Sequence, residues 1–525
     1  MIIVDKKIIF ALSIIVVAFL YFYDIGNINA MRQGTEGFYL QISKEMFAKG
    51  SALTPFYNNV EHWSKPPLHF WNALAYYKIS GNASIFWARV SVAVLSLVGL
   101  FLISLWNKKH FNIPTITTFL ILASSFGFLK YSRIYMMEIP LTIISTLASL
   151  YFYSYLQERK DSVLILAIFC LGLSTLVKGP VSLIMCVGSV SLYFAINSDY
   201  RNMDAFKSLL IWSLSGLLIG SIWYFACYFK YGNHFLEYFF LKENFGKFTA
   251  KSYPISSIIQ GLFLYSLPWV FFIPHLFSNI HKSSFFLVIH FIFFFLLWFI
   301  PSQRSHHYAI PSLTFFLLLI TNSLHYAKKT DATYQFGKIT LGVLYALMSL
   351  LILISVFLIK DLRISHLSFA ITLSFFVVTT IIIFFVQELP IKAFFIMISL
   401  SSLWVVYTPN FYLPIVPPAV VESLENKPVG VVFRKPYYIS EAIDKDVQII
   451  SEFNAGKFLA DKPAYLFILE SEHKNQKLEA YPPVKKWPIW KRGNGFFQIV
   501  SAIRQGSISG LTEYMYLINS TNFIQ

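Results

Sequence analysis

The sequence predicts a polytopic α-helical membrane protein with a small α/β domain at its C-terminal end, and three observations carry that reading. Hydrophobic residues make up 56% of the 525-residue chain, aromatics 18% and charged residues only 13%, against roughly a quarter charged in soluble domains. Apolar runs of about 20 residues, the length that crosses a bilayer, recur along most of the chain. After Tyr407 this pattern stops, and prolines at 409, 414, 417 and 418 open a different composition.

In chain order the apolar runs fall at 8–23, 83–106, 114–130, 134–157, 162–177, 179–197, 208–229, 255–275, 283–300, 308–326, 337–359, 366–386 and 391–407. About thirteen spans are therefore expected. The first follows Lys6-Lys7 and precedes Asn29-Ala30. A cleaved signal peptide has such flanks, but this run is longer than a usual signal core and ends in aromatics, which favours an uncleaved span. Short loops bearing Lys6-Lys7, Lys108-Lys109, Arg159-Lys160, Arg201 with Lys207, and Lys328-Lys329 share one side, which should be cytoplasmic. That places 24–82, 230–254 and the tail from 408 outside.

Cys170, Cys186 and Cys227 all lie within apolar runs and read as small apolar residues. The net charge of +16 suits anionic membrane lipids or phosphorylated lipid substrates better than nucleic acid.

Two outer loops are patterned. In the first external loop Phe38, Ile42 and Met46 recur every four residues with Tyr39 beside them, while Gln41, Lys44, Glu45 and Lys49 take the opposite face. This is an interfacial helix by pattern. The fourth external loop, from His234, mixes aromatics with Glu237, Lys242, Glu243 and Lys247 and predicts another. In the tail, Val429–Phe433 and Ala464–Leu469 read as strands between polar helices. The expected domains are thus 1–407 in the membrane and 408–525 outside it.

Glu36 follows Gly34-Thr35 and precedes Gly37, where backbone approaches a ligand closely. It reads either as a base for an acceptor hydroxyl or as an acidic first-turn residue favoured by the helix dipole. Glu138 stands near the outer end of a span, where an ionisable group is costly and often functional; the plain alternative is an ion pair with Arg133. Lys65 before Pro66-Pro67, Lys178 before Gly179-Pro180, Lys247 and Arg304 share the outer side. Singly each reads as a snorkelling charge; together, beside two carboxylates, they suggest a phosphate clamp. Arg89 could instead hold a buried carbonyl or carboxylate. Adjacent His306 and His307 point apart, so no metal is expected, and no nucleotide loop or cofactor motif appears.

These pieces resemble the type C glycosyltransferases of bacterial membranes, the aminoarabinose transferase and protein O-mannosyltransferase-like group. The resemblance lies in Thr35-Glu36, in Tyr39 to Lys44-Glu45-Met46, in Leu53-Thr54-Pro55, and in Lys65-Pro66-Pro67-Leu68-His69-Phe70-Trp71. It continues through Ala88-Arg89, Glu138-Ile139-Pro140, Leu176-Val177-Lys178-Gly179-Pro180, Glu243-Asn244-Phe245-Gly246-Lys247-Phe248, and Arg304 to Tyr308-Ala309-Ile310-Pro311. Thr35 stands where that family often has Asp, Glu138 where it commonly has Asp, Asn244 where it has His, and Lys247 where it has Arg.

The resemblance implies a sugar transferred from a polyprenyl-phosphate-linked donor, with inversion, to a lipid A, glycan or protein acceptor. It implies Glu36 and Glu138 as catalytic carboxylates, and Lys65, Lys178, Lys247 and Arg304 as ligands of the donor phosphate. Tyr39, Glu243, His307 and Tyr308 would position substrate. It implies a multi-pass bacterial inner-membrane protein in contact with membrane lipids, with its site and tail domain facing the periplasm. The rival reading is a transporter or flippase of lipid-linked sugars. That reading calls for broken helices and repeated halves, which the sequence pattern does not display. An oligosaccharyltransferase would want an acidic metal-binding set that is only partly present.

Overall fold

The computed structural model describes residues 6–29, 35–239, 254–279, 284–302, 304–358, 364–433, 436–450, 454–461, 463–491 and 496–522. The chain forms two compact units. One comprises Met1–Ile25, Ile42–Leu347 and Phe375–Ser401; the other comprises Gly26–Gln41, Met348–Ser374 and Ser402–Gln525.

The first unit is helical. It opens with α1 (Lys6–Phe22) and the larger part of α2 (Glu36–Ala48), followed by a two-strand hairpin, β1 (Phe56–Tyr57) and β2 (Val60–Glu61). Then come α3 (Leu68–Ser80), α4 (Ile85–Phe111), α5 (Thr115–Ala123), α6 (Phe126–Tyr131), α7 (Glu138–Glu158), α8 (Asp161–Lys178), α9 (Pro180–Ile196) and α10 (Met203–Tyr231). The series continues with α11 (Asn233–Leu236), α12 (Ser256–Tyr265), α13 (Ile273–Ser278), α14 (Phe285–Leu296), α15 (Ile310–His325), α16 (Ala332–Leu358), α17 (His366–Phe385) and α18 (Leu389–Ser401), of which α16 and α17 divide between the units.

Among the described residues, eight helices are long and apolar enough to cross a membrane, or nine if a bent pair counts as one span. That pair, Ser256–Tyr265 with Trp269–Ser278, turns by 98° at Pro268, which cannot continue a helical ladder. The sequence pattern gave no sign of this broken helix. Three shorter apolar helices, Ala11–Phe22, Pro180–Ile196 and Phe285–Phe299, match further expected spans.

The expected span at 114–130 is not one helix. Oγ of Ser124 and Ser125 donate to the carbonyls of Ile121 and Leu122 at 3.3 and 2.9 Å, and the Phe126 amide leaves the helical ladder for Leu267 O at 2.8 Å. Serine hydroxyls that compete for backbone in this way end helices. An apolar run buried inside a bundle has the same hydropathy as a span, so the pattern could not separate them.

α7 is deeply buried: 83% of its apolar window is covered, against 28% for α10, and it packs on α4, α8, α9 and α15. The two-residue connection Arg159-Lys160 makes α7 and α8 antiparallel neighbours, so the start of α7 and the end of α8 lie together. α8 meets α10 closely: a Cβ on Gly172 would stand 2.5 Å from Ile219 and one on Gly220 2.7 Å from Thr175. Small residues permit such approach. The last carbonyls of α1 and the turn after it are held by two buried arginines. Nη1 of Arg89 donates to Ile25 O at 2.9 Å, and Arg133 donates to Leu20 O and, at 2.6 Å, to Tyr23 O. Both satisfy carbonyls a helix end leaves orphaned, and Arg89 fills the structural role open to it from sequence.

The second unit contains a five-stranded sheet ordered β4-β3-β5-β7-β6. Its strands are β3 (Val429–Val432), β4 (Gln448–Ile449), β5 (Tyr465–Leu469), β6 (Pro483–Trp490) and β7 (Thr512–Asn519). β3 pairs in parallel with β4 and β5, while β7 runs antiparallel to β5 and β6. The two strands expected from sequence are β3 and β5. Helices α19 (Pro418–Val421), α20 (Pro436–Ile443), α21 (Ala455–Asp461), α22 (Glu470–Asn475) and α23 (Phe496–Gln505) complete it. Val432, Phe458, Leu459, Leu466, Ile468 and Ile518 form its buried core.

Candidate active site

Glu138 is the first residue of α7, only 3% exposed, where the helix dipole favours a negative charge. Its Oε1 lies 3.5 Å from Nζ of Lys178 and 3.4 Å from Nε2 of His307. Its Oε2 is buried and has no hydrogen-bond partner among the described residues. Lys178 is the last residue of α8; Gly179, at φ 78° and ψ −154°, ends that helix and starts α9. The Lys178 ammonium sits 4.9 Å from the ring centres of both Trp298 and Tyr308, a cation–π arrangement that fixes its long side chain. The other nitrogen of His307, Nδ1, is 2.8 Å from Oγ of Ser305.

Aromatic residues wall this cluster. The His69 ring stacks on Tyr135 with centres 4.1 Å apart, and the Tyr135 hydroxyl bonds both Oγ of Ser43 at 2.6 Å and the His69 carbonyl at 3.1 Å. Burial pushes His69 down to about 3 despite the opposing pull of the Glu138 charge, so it is neutral. The Tyr131 and Tyr265 hydroxyls are 2.9 Å apart, and the Tyr131 ring centre is 6.3 Å from that of His307.

The remaining expected residues divide. Nζ of Lys65 donates to its neighbour's carbonyl, Ser64 O, at 2.7 Å; the adjacent Pro66 lines Gly179, 3.9 Å from where a Cβ would stand. Nη2 of Arg304 donates to Phe299 O at 2.8 Å. Glu36 and Tyr39 lie on the part of α2 that belongs to the second unit. Both are buried, so the expected flat interfacial helix is instead packed on most sides; Ile42, Ser43 and Met46 farther along it are buried as well. The Tyr438 hydroxyl donates to Glu36 Oε2 at 2.8 Å, and Gly37 packs against the Tyr437 ring. Of the second expected interfacial helix only the start of its loop is described, with α11 over Asn233–Leu236; Lys242, Glu243 and Lys247 lie outside the described residues.

The structure therefore gathers Glu138, Lys178, His307 and Tyr308, with Pro66 alongside. Arg133, weighed as a plain partner for Glu138, holds the end of α1. Sequence reasoning missed His69, Lys130, Tyr135, Trp298 and Tyr438. His69 stood within the Lys-Pro-Pro motif and Lys130 eight residues before Glu138, but nothing in the sequence pointed to Tyr438. Among the described residues no group of three His, Cys, Asp or Glu side chains could hold a metal.

Over 98% of both chains, the structure superposes on ArnT from Cupriavidus metallidurans solved with undecaprenyl phosphate, with a TM-score of 0.74 at 15% identity. The chain has the aminoarabinose transferase fold. It is a multi-span membrane protein. A model of the dolichyl-phosphate-mannose-protein mannosyltransferase family matches residues 64–225, which include Lys65, His69, Glu138 and Lys178. An uncharacterized protein of Aquifex aeolicus is 29% identical over 320 residues, 59% of this chain and 58% of that one. The undecaprenyl phosphate-α-4-amino-4-deoxy-L-arabinose arabinosyl transferase 1 of Proteus mirabilis is 22% identical over 331 residues, 59% of each chain. The chain thus spans under two thirds of the length of these two relatives.

Proposed function

We propose that the protein is a glycosyltransferase that moves a sugar from a polyprenyl-phosphate-linked donor to a lipid, glycan or protein acceptor on the outer side of the membrane. The observation that carries this reading is the buried Glu138 carboxylate between Lys178 and His307, in a fold shared with a structure solved bound to undecaprenyl phosphate.

An acceptor oxygen attacks the anomeric carbon from the face opposite the phosphate, and the carbon–oxygen bond to phosphate breaks with its electron pair leaving on the phosphate. Configuration inverts. The leaving group is weakly basic and needs cations more than a proton, which suits Lys178, with Lys65, Lys247 and Arg304 as the further cations that the motifs supply. Glu138 orients the sugar through its free oxygen and holds Lys178 in place before donor arrives. His307 and Tyr308 flank the same space; Tyr39 and Glu243 keep the positioning role their motifs suggest. Glu36 takes the acceptor proton or orients the acceptor, and is tested separately by Glu36→Gln.

Protein reconstituted in vesicles with polyprenyl-phosphate-linked sugars and an acceptor mixture should release polyprenyl phosphate, detected by mass spectrometry. Glu138→Gln should slow release by about a hundredfold or more. Movement of intact lipid-linked sugar between leaflets without any release would favour the transporter reading instead.

A further inference from the structure

Lys130 is half-buried near the end of the six-residue α6. Among the described residues its side chain makes no hydrogen bond or ion pair; its ammonium lies 5.1 Å from the Tyr131 ring and 5.8 Å from the Tyr265 ring. Those two rings are locked to each other through their hydroxyls, and Tyr131 borders His307, which touches Glu138. The backbone beneath is fixed too, since a Cβ on Gly127 would stand 2.5 Å from Leu313 and 2.8 Å from Tyr265.

An ammonium taken from water without a counter-ion is destabilising, and proteins keep such groups where an anion will arrive. Lys178 shows the usual compensation, facing Glu138. A snorkelling lysine reaches out to water; this one lies against the rings of two phenols. We propose that Lys130 is a binding residue for the phosphate of the lipid-linked donor, bordering the Glu138 cluster on its Tyr131 side. This rests on the function proposed above.

Charge counting supports a phosphate at this place. Glu138 balances Lys178, so Lys130 adds a positive charge that this pair does not offset, and a sugar–phosphate–lipid diester carries one negative charge. When the sugar–oxygen bond breaks, the electron pair stays on the lipid phosphate, whose charge grows toward two. A cation unpaired in the free protein gains most at that moment, which is the condition for catalysis and not only binding.

The test measures binding of undecaprenyl phosphate to the detergent-solubilised full chain by native mass spectrometry, alongside melting temperatures, for wild type, Lys130→Met and Lys130→Arg. Lys130→Met should bind about tenfold more weakly or worse while melting at the same or a higher temperature, because a half-buried charge with no ion-pair partner is removed. Lys130→Arg should bind within about threefold of wild type. Equal binding by wild type and Lys130→Met overturns this inference alone; wild type that binds no undecaprenyl phosphate overturns the functional reading with it. A lower melting temperature for Lys130→Met marks a structural lysine. Equally tight binding of phosphatidylglycerol marks a general lipid-headgroup site; either result overturns the assignment.

Discussion

The hydroxyl of Tyr438 donates a 2.8 Å hydrogen bond to Oε2 of Glu36, joining residues 402 positions apart at a carboxylate with no solvent exposure. Hydrogen bonds to buried charged groups contribute about 1.5–3 kcal/mol. Tyr438→Phe keeps the ring and removes the donor, so it should lower stability by about that amount, read as a lower melting temperature of the purified protein. An unchanged melting temperature would show that Glu36 draws nothing from this contact.

Glu138 and Lys178 should behave as a buried pair. Removing one partner leaves the other charge uncompensated, at a cost of about 3–5 kcal/mol. Lys178→Met alone should therefore be strongly destabilised, while Lys178→Met with Glu138→Gln should recover much of the loss and yet transfer no sugar. Thermal unfolding of both variants checks this, and additive effects would speak against direct pairing.

Gly179 sits at φ 78° and ψ −154°, a region that essentially only glycine occupies, and strain there amounts to about 1–3 kcal/mol. A Cβ would also approach the Tyr224 hydroxyl to 3.2 Å. Because Lys178 is the preceding residue, Gly179→Ala should reduce turnover together with stability. Gly50→Ala is the control, since Gly50 also has positive φ, at 61°, but no heavy atom within 4 Å of its Cβ position. It should leave turnover unchanged. Equal losses in both variants would detach Gly179 from the site.

His69 should make the protein acid-sensitive. Its folded value near 3 lies below the ordinary value of 6.5, so the unfolded chain binds its proton first as pH falls. The stability contribution is full above pH 6.5 and is lost on descending toward pH 3. Between pH 6.5 and 5 the loss is about 2 kcal/mol. His69→Phe, which keeps an aromatic ring against Tyr135, should flatten the fall in melting temperature over that interval. An unchanged slope would show that His69 is not the group responsible.

Much of this is legible in the sequence alone. Glu138 stands out in the sequence because an ionisable group at a span's end is costly, and Lys178 as one of four cations on the outer side; the short turn between α7 and α8 brings the two together. The hydrophobic period gave the helices, and the paired runs Val429–Phe433 and Ala464–Leu469 became neighbouring strands. What stayed hidden depended on tertiary contact. A run such as 114–130 has the same hydropathy inside a bundle as in lipid. The bend at Pro268 looks from composition like one more span. His69, Lys130 and Trp298 each belong to residue types common at membrane surfaces, and only their neighbours single them out. Tyr438 reaches Glu36 from the far end of the chain, across a separation no local pattern encodes.

The central claim is sugar transfer at the Glu138 cluster, and mass spectrometry of lipid A, surface glycans and membrane proteins from cells tests it most directly. Cells carrying wild-type protein, Glu138→Gln or no protein are compared at verified expression. The account predicts a sugar-sized mass on one acceptor class with wild type alone. Identical spectra from all three strains would contradict it.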